Sequence, residues 1–342
     1  MKVLVTGGLG YIGSHTVVAL QNAGFDVLIV DNLSNSSIDV LEGITNITGI
    51  VPNFKRLDLR DKIEVQHYFK QHKDIDGVIH FAASKAVGES VENPLLYYEN
   101  NVNTLVYLLQ ECQKFSICNF IFSSSCTVYG EPDVLPIDES APIKKALSPY
   151  GNTKQISEEI LDDTTKASSL QAIALRYFNP IGAHPSTEIG ELPLGVPQNL
   201  VPFITQTAIG KREQLSVFGD DYPTKDGSCI RDYIHVMDLA EAHVVALQRL
   251  LDKKNETSYE VFNVGTGKGV SVFEIIEAFE SVAKQPLNYK VVGRRSGDVT
   301  AVYANTTKAN EVLGWSSKRD LKESLSSAWK WEQKVRKNET EV

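Results

Sequence analysis

The sequence predicts an α/β fold, in which an open parallel sheet carries helices on both faces and a smaller α/β lobe follows at the C-terminus. Two observations support this prediction. The chain opens with a buried-strand pattern, a glycine-rich turn and a helix-like stretch, all before Phe25. Strand-like and helix-like segments then alternate five times by Gly130, which is typical of a doubly wound, Rossmann-type parallel sheet.

The first of these elements also indicates a ligand site. Lys2–Thr6 has the β-branched pattern of a buried strand, and Ser14–Ala23 has a helical pattern. Between them, Gly7, Gly10 and Gly13 fit a spacing variant of the GxGxxG dinucleotide fingerprint. Such glycines permit a tight turn, let the helix lie close to the strand, and bring backbone N–H groups against a pyrophosphate. Glycines also form ordinary turns, but their place directly after an N-terminal strand favours a dinucleotide site.

The second strand, predicted over 26–30, ends at Asp31. A carboxylate about 20 residues after the glycine turn is placed to accept hydrogen bonds from the adenosine ribose. The next segment, residues 32–37, contains no Arg or Lys that would meet a 2′-phosphate, so the sequence favours NAD over NADP. The alternative is that Asp31 only caps a turn.

The rest of the first half continues the same alternation. Its strands and helices are predicted over residues 53–57, 61–73, 77–81, 94–113 and 119–123. Asp58 and Leu59 follow the third strand, where they would flank an adenine. Ala82 and Ala83 follow the fourth, where small side chains leave space for a cofactor at the sheet edge. The long helix contains Asn100, Asn101 and Asn103, and a buried amide there needs a hydrogen-bond partner in the backbone or a ligand.

A tyrosine and a lysine form the candidate chemical pair. Tyr150 and Lys154 are four residues apart in a helix that begins near Pro149, so they share one helical face. A neighbouring ammonium and a cationic nicotinamide ring would both favour the phenolate, so we expect the pKa of Tyr150 to be lowered. Tyr150 would then act as general base toward a secondary alcohol, and Ser125, at the end of the fifth strand, would bond to the same oxygen.

The second half carries less regular patterns. Its segments are predicted as strands over 172–177, 215–218 and 261–264 and as helices over 236–251, 271–283 and 320–333. We expect residues 1–180 to form an NAD-binding domain and residues 181–342 a substrate-binding domain. The strand over 261–264 is a candidate to return to the main sheet.

Composition narrows the class of protein. The 342 residues carry a net charge of −9 with no dense Lys/Arg run, which argues against nucleic acid or an anionic membrane as a partner. The four cysteines have no metal-binding spacing, so we expect no metal site and reduced thiols. No apolar run approaches the ~18 residues of a membrane span. The first strand begins at Lys2, which leaves no room for a signal peptide, so a soluble cytoplasmic protein is expected.

Several long segments resemble the extended short-chain dehydrogenase/reductase family, and within it the UDP-glucose 4-epimerases. The resemblance runs almost the length of the chain, through VTGGLGYIGSHT, HFAASKAVGESV, NFIFSSSCTVYGEP, SPYGNTK, ALRYFNPIGAHPS, IRDYIHVMDLA and RRSGDVTAVYAN. It implies a reversible 4-epimerisation of UDP-galactose and UDP-glucose through a 4-keto sugar. Tyr150 would take the proton of the 4-hydroxyl while NAD accepts the hydride, and the sugar would turn before the hydride returns.

The resemblance also assigns residues to ligands. Ser125 and Tyr150 would be the proton-relay pair, and Lys154 would tune Tyr150. NAD would be bound by Gly7, Gly10, Tyr11, Ile12, Gly13, Asp31, Asn32, Asn35, Ser36, Asp58, Leu59, Phe81, Ala82, Ala83, Lys85, Asn100, Ser123, Tyr150, Lys154, Tyr177 and Phe178. The UDP-sugar would be bound by Lys85, Ser125, Tyr150, Asn179, Asn199, Leu200, Ser216, Val217, Phe218, Arg231, Tyr233, Arg295, Asp298 and Val302. Guanidinium forks suit a diphosphate, although either arginine alone would more simply form a surface ion pair.

Two further expectations follow from the same resemblance. The helices over 94–113 and 150–166 resemble those that pair in the family's homodimers. In the family, the site of Val302 flanks the C2 substituent of the sugar, and a bulky aromatic there resembles forms limited to glucose and galactose. Valine is smaller, so we expect room for an N-acetyl group and epimerisation of UDP-N-acetylgalactosamine and UDP-N-acetylglucosamine.

Three alternatives stay open at this point. The first is another NAD-dependent nucleotide-sugar epimerase, or a 4,6-dehydratase; the latter needs an acid pair beside Ser125, where the sequence has Cys126 and Thr127. The second is a simple NAD-linked dehydrogenase, which would release its reduced cofactor. The third is a non-catalytic NAD-sensing protein on the same fold.

Overall fold

The computed structural model describes residues 1–295 and 297–341, so Ser296, in the last of the segments quoted above, lies outside the description. Its centre is a seven-stranded sheet in the order β3-β2-β1-β4-β5-β6-β11, and every pairing in it is parallel. These strands are β1 Lys2–Thr6, β2 Asp26–Asp31, β3 Asn53–Arg56, β4 Gly77–His80, β5 Asn119–Ser123, β6 Gln171–Tyr177 and β11 Tyr259–Val264. The α/β, Rossmann-type prediction is confirmed.

Helices cover both faces of this sheet because its strands are buried on both sides. The helices of the chain are α1 Tyr11–Asn22, α2 Val40–Thr48, α3 Lys62–Gln71, α4 Val87–Glu92, α5 Pro94–Tyr98, α6 Thr104–Lys114, α7 Pro149–Ala167, α8 Leu200–Ala208, α9 Val236–Leu251, α10 Val272–Ala283 and α11 Leu321–Glu341. One core contains side chains of α1, α2 and α9, such as Val17 and Leu239. The other contains side chains of α3, α6 and α7, such as Phe69 and Leu161.

Two helices differ from the prediction in a way that matters for the site. The first begins at Tyr11, three residues before the predicted start, because Gly10 closes the turn by donating its N–H to the Gly7 carbonyl at 3.1 Å. The long helix expected over 94–113 is interrupted at Glu99–Asn103 by a π-helical turn. Such turns are frequent at functional sites because they re-aim side chains.

The second lobe is built from short strands around its own core. These strands are β7 Asn179–Ile181, β8 Leu215–Phe218, β9 Ile230–Arg231, β10 Tyr233–His235, β12 Val270–Ser271, β13 Tyr289–Val292 and β14 Ala301–Val302. They pair as β10-β7, β12-β9-β14 and β13-β8. Ile204, Phe279 and Leu325, from three different helices, fill the core beneath them.

Chain order and spatial order diverge in the second half. Strand β11 pairs with β6 at the edge of the main sheet, and α9 packs on α1 against the same sheet. Segments after residue 181 therefore contribute to both lobes. Among the described residues, no helix combines the length and the apolar character that crossing a membrane would require.

Candidate active site

The carboxyl ends of the central strands open into one large cleft. It has a volume of about 540 Å³, within the range of small-molecule sites. It lies where the strand order reverses around β1 and β4, which is where doubly wound sheets bind ligands. All the residues predicted to bind NAD line it except Phe178, whose side chain packs with Val128 and Tyr129 instead.

The glycine turn has the shape of a phosphate cradle. Gly7 has a φ of +67°, a conformation that favours glycine, and a Cβ there would lie 2.8 Å from the Ala82 nitrogen. A Cβ on Gly13 would lie 2.2 Å from the Gly7 carbonyl oxygen. Among the described residues, no side chain caps the start of α1. The first backbone N–H groups of this helix are therefore available to a ligand in the cleft. The turn leaves no space for a side chain, which is the geometry that pyrophosphate-binding glycine turns have.

Asp31 organises the adenosine end of the cleft. Its carboxylate accepts hydrogen bonds from the backbone N–H of Leu9 at 3.1 Å, the N–H of Leu33 at 2.9 Å and the hydroxyl of Ser36 at 2.8 Å. One acid therefore connects the glycine turn to the loop after β2. A carboxylate has about four acceptor positions, so these three bonds leave capacity for a further donor such as a ribose hydroxyl.

Arg60, which was not predicted as a site residue, lines the same end of the cleft. Its guanidinium donates to Asp58 at 2.7, 3.0 and 3.3 Å, and Asn32 donates to the same carboxylate at 3.3 Å. The hydrogen bond from Arg60 lowers the pKa of Asp58 to about 2, so this carboxylate is ionised at neutral pH. Because it follows the third strand by several residues, Arg60 has no motif that would have identified it.

Two of the candidate catalytic residues, Tyr150 and Lys154, line the other end of the cleft, and Ser125 lies beside Tyr150 without lining it. Ser148 caps α7 by accepting the Gly151 N–H at 3.1 Å, and this places Tyr150 in the first turn of the helix. Lys154, one turn later, donates its ammonium to the Ser123 carbonyl at 2.7 Å, and its Nζ lies 5.9 Å from the centre of the Tyr150 ring. Ser125 ends the segment after β5, and the side chains of Ser125, Tyr150 and Lys154 are all buried.

The electrostatics differ from the prediction for Tyr150. In the protein alone, burial raises the pKa of the Tyr150 phenol well above its ordinary value, and the neighbouring Ser125 hydroxyl opposes only part of this effect. Burial also lowers the pKa of the Lys154 ammonium to about 8. The predicted lowering of the Tyr150 pKa therefore does not arise from Lys154 alone, and the positive nicotinamide ring of bound NAD is needed to favour the phenolate.

The π-helical turn fixes the loop after β4 next to this pair. Asn101 accepts the N–H of Ser84 at 2.8 Å, and its amide donates to the Ser84 carbonyl at 2.9 Å and to the Thr153 hydroxyl at 3.0 Å. Asn100, the residue predicted to contact NAD, donates to the Ser84 hydroxyl at 3.0 Å. The buried amide is that of Asn101, and its hydrogen bonds to Ser84 and Thr153 join the loop after β4 to α7.

Five of the predicted substrate residues form a cluster in the second lobe. Arg295 makes a two-pronged ion pair with Asp298 at 2.8 and 3.1 Å and lies 5.3 Å above the Phe218 ring. Arg231 approaches the same carboxylate at 3.8 Å, and Val302 stands opposite Arg231 in the β14–β9 pairing. Asp298 therefore orients both guanidinium groups toward one place.

The other predicted substrate residues occupy several environments. Asn199 and Lys85 line the cleft, as does a second residue that was not predicted, Glu191. The Glu191 carboxylate accepts a hydrogen bond from the Asn199 amide at 2.7 Å and forms an ion pair with the Lys85 ammonium at 3.7 Å. Asn179 pairs with Tyr233 between β7 and β10. The side chains of Val217 and Tyr233 lie in the core of the second lobe, against which Leu200 also packs, while Ser216 is half-buried on β8.

A metal centre is not formed by the described residues, in which no group of three or more potential ligands comes together. The His184 imidazole contacts the Ser186 hydroxyl at 2.8 Å within its own loop.

Comparison with known proteins gives consistent matches. Residues 4–328 match the family model described as GDP-mannose 4,6 dehydratase. A UDP-glucose 4-epimerase of Bacillus subtilis is 49% identical over 333 residues, 97% of each chain. A crystal structure of UDP-glucose-4-epimerase from Stenotrophomonas maltophila, with bound NAD and formylated UDP-arabinopyranose, has a TM-score of 0.95 at 45% identity and covers 99% of both chains. Another, from Bifidobacterium longum in complex with NAD+ and UDP, has a TM-score of 0.94 at 44% identity, covering 98% of this chain and 99% of that one.

Proposed function

This chain belongs to the extended short-chain dehydrogenase/reductase family, among its UDP-glucose 4-epimerases, and from that premise we propose how its residues carry out the reaction. The enzyme interconverts UDP-galactose and UDP-glucose with NAD as cofactor. The observation that carries the proposal is that Tyr150 and Lys154 line the dinucleotide cleft, with the Ser125 hydroxyl beside the Tyr150 phenol. The chemistry supplied by bound NAD is reversible hydride acceptance at the sugar C4.

The protein supplies the proton transfer. Tyr150 takes the proton of the 4-hydroxyl as general base and later returns it as general acid. Lys154 keeps a positive charge beside the phenol, which favours the phenolate when the site is closed to water. Ser125 bonds to the same sugar oxygen and holds it within reach of Tyr150. The buried positions of all three side chains exclude solvent protons from this exchange.

The second lobe holds the sugar by its diphosphate. Arg231 and Arg295, oriented by Asp298, bind the two phosphates through planar forks. A firm grip on the diphosphate leaves the sugar ring as the part free to turn, so either face of the 4-keto sugar can receive the hydride. On this account residues 1–180 bind NAD and residues 181–342 bind the UDP-sugar, with α9 and β11 serving the main sheet.

Substitution of Tyr150 by phenylalanine tests this assignment. Tyr150→Phe should lower kcat for UDP-galactose by about 10²–10⁴-fold, the usual value of general acid–base catalysis. The amount of NAD bound should stay that of the unchanged enzyme, because the ring itself is kept. Tyr68→Phe, a buried phenol on α3 outside the cleft, is the matched control and should keep full activity. Full activity in Tyr150→Phe would refute the role.

Cys126 bears on the dehydratase alternative. Loss of the 6-hydroxyl needs an acid beside Ser125, and this position holds a thiol whose pKa burial raises to about 12. A neutral thiol is a weak proton donor. The absence of a carboxylate at Cys126 and Thr127 favours epimerisation over dehydration at this site.

Val302 supports a broader range of sugars. It lies on β14 opposite Arg231 and packs with Phe178 and with Val128 and Tyr129, which follow Ser125 by three and four residues. We propose that its small side chain admits an N-acetyl group at the sugar C2. Val302→Tyr should abolish epimerisation of UDP-N-acetylgalactosamine and spare that of UDP-galactose; Val302→Leu is the control of intermediate size. Equal loss of both activities would refute the proposal.

We also propose that the enzyme is a cytoplasmic homodimer. Helices α5 and α7 pack side by side, and this surface carries Leu95, which is 81% exposed, with Val91 62% exposed nearby on α4. Large apolar side chains exposed together indicate an interface. Light scattering should give the mass of two chains for the enzyme and of one for Leu95→Glu. A monomeric unchanged enzyme would contradict the assignment.

A further inference from the structure

A buried ion pair lies directly behind Lys154, and the reaction described above does not use it. Glu158 follows Lys154 by one helical turn on α7, so the two side chains share a face. Its carboxylate accepts three hydrogen bonds from Arg176 of β6, at 2.5, 3.0 and 3.2 Å. The two side chains are only 7% and 8% exposed. Buried ion pairs rarely add stability over apolar packing, so their presence raises the question of a further role.

The pair is tied to the strand that carries the catalytic serine. The Ser124 hydroxyl donates to Glu158 at 2.5 Å. Ser124 stands between Ser123, whose carbonyl accepts the Lys154 ammonium at 2.7 Å, and Ser125, which bonds to the sugar oxygen. The Glu158 carboxylate therefore contacts the middle residue of the segment 123–125. The first residue of this segment binds the lysine, and the last is the proposed contact to the substrate.

A second anchor holds the arginine. Its guanidinium donates to the Tyr129 hydroxyl at 3.0 Å, and that hydroxyl donates to the Asn263 side chain at 2.7 Å. The guanidinium also lies 4.8 Å from the centre of the Tyr129 ring. Arg176 is thus fixed by β11 and by the turn after Ser125, which leaves Glu158 little freedom to move.

Glu158 is the charged group that supports the positive charge of Lys154. Lys154 faces Tyr150 on its own helix, the Phe122 ring on β5 and His80 on β4, whose imidazole is neutral because burial lowers its pKa to about 3. Glu158 opposes the effect of burial on the pKa of Lys154. Glu158 itself faces Ser124, Arg176 and the Tyr259 phenol, whose pKa is raised by burial first and by Glu158 next.

We propose that Glu158 is a positioning residue, which holds Lys154 charged and the Ser123–Ser125 segment aligned, and that Arg176 and Ser124 hold Glu158 in place. This inference rests on the proposed roles of Tyr150 and Lys154. Glu158 does not line the cleft and would act through its neighbours.

The pH dependence of catalysis distinguishes this role from a structural one. In Glu158→Gln, one negative charge is removed one helical turn from Lys154, so the Lys154 ammonium loses its proton more readily. The alkaline limb of the kcat profile, which follows the charge of Lys154, should therefore move to lower pH, by about one to two pH units for a charge one helical turn away at an effective dielectric of about 20. We also expect kcat at its optimum to fall by about tenfold, as the segment after β5 loses its anchor.

Glu260→Gln is the matched control. Glu260 forms another buried two-pronged ion pair, with Arg249 at 2.8 and 2.9 Å. Glu260 lies with Arg249 of α9 on the sheet face opposite α7. This variant should lower the melting temperature as Glu158→Gln does and leave the pH profile unmoved. A Glu158→Gln profile that coincides with that of the unchanged enzyme would overturn the proposal.

A second variant keeps the proposal testable if Glu158→Gln fails to fold. Ser124→Ala leaves the ion pair intact and removes only its link to the strand. It should lower kcat several-fold with bound NAD unchanged; an undiminished kcat would overturn the positioning role. Failure of the proposed function would be seen separately, as full activity in Tyr150→Phe, whatever the behaviour of these variants.

Discussion

Replacing Gly13 by alanine probes the dinucleotide turn at its tightest point. A Cβ there would lie 2.2 Å from the Gly7 carbonyl oxygen and 2.9 Å from the Gly8 Cα, both backbone atoms that no side-chain rotation can move away. Relief requires a shift of about 1 Å between α1 and the turn, and overpacking of this kind costs roughly 1–3 kcal/mol. The usual gain of alanine over glycine in a helix, about 1 kcal/mol, offsets only part of this.

The expected result is a net destabilisation of up to about 2 kcal/mol and an affinity for NAD lower by at least about tenfold, since the N–H groups that meet the pyrophosphate are displaced. Thermal unfolding and fluorescence titration with NAD measure the two effects. Gly88→Ala is the control: this glycine is exposed in α4 and a Cβ would meet nothing within 4 Å, so stability should rise slightly. Gly13→Ala with unchanged NAD affinity would refute the reasoning.

Three further predictions concern the two ends of the site. Asp31→Asn should weaken NAD binding by about tenfold or more in equilibrium dialysis, because charge-assisted bonds worth about 1.5–3 kcal/mol are lost; unchanged binding would contradict its role. Arg295→Ala should raise KM for UDP-galactose by about tenfold with little change in kcat, since the diphosphate is bound alike throughout the reaction; a fall in kcat alone would argue against it. Activity should decline as pH rises through about 8, because the positive form of Lys154 is lost there; a flat profile up to about pH 9.5 would contradict this.

The first half of the fold could be predicted from the sequence because each of its strands is a local pattern. Strands β1 and β5 have the predicted bounds, since buried parallel strands are continuous apolar runs with sharp polar ends. Helix α9 does too. The π-helical turn at Glu99–Asn103 could not be predicted, because it depends on partners such as Thr153 that are distant in sequence.

The candidate site shows the same limit. Residues that belong to motifs, such as Asp31 and Tyr150, were identified by spacing, and the structure brings them to one cleft. Arg60, Glu191 and Glu158 were missed because each acts through a contact that no sequence motif marks. Glu191 pairs with Lys85, which is distant in the sequence, and Glu158 pairs with Arg176 of β6. The expected lowering of the Tyr150 pKa also overlooked burial, which is a property of the packed protein.

Isotope retention tests the central claim most directly. The enzyme is incubated with NAD and UDP-galactose carrying deuterium at C4, and the UDP-glucose formed is examined by proton NMR. If the hydride leaves C4 and returns to the same carbon while Tyr150 moves only the hydroxyl proton, the product should keep its deuterium at C4. Replacement of that deuterium by solvent hydrogen, or no conversion at all, would contradict the account.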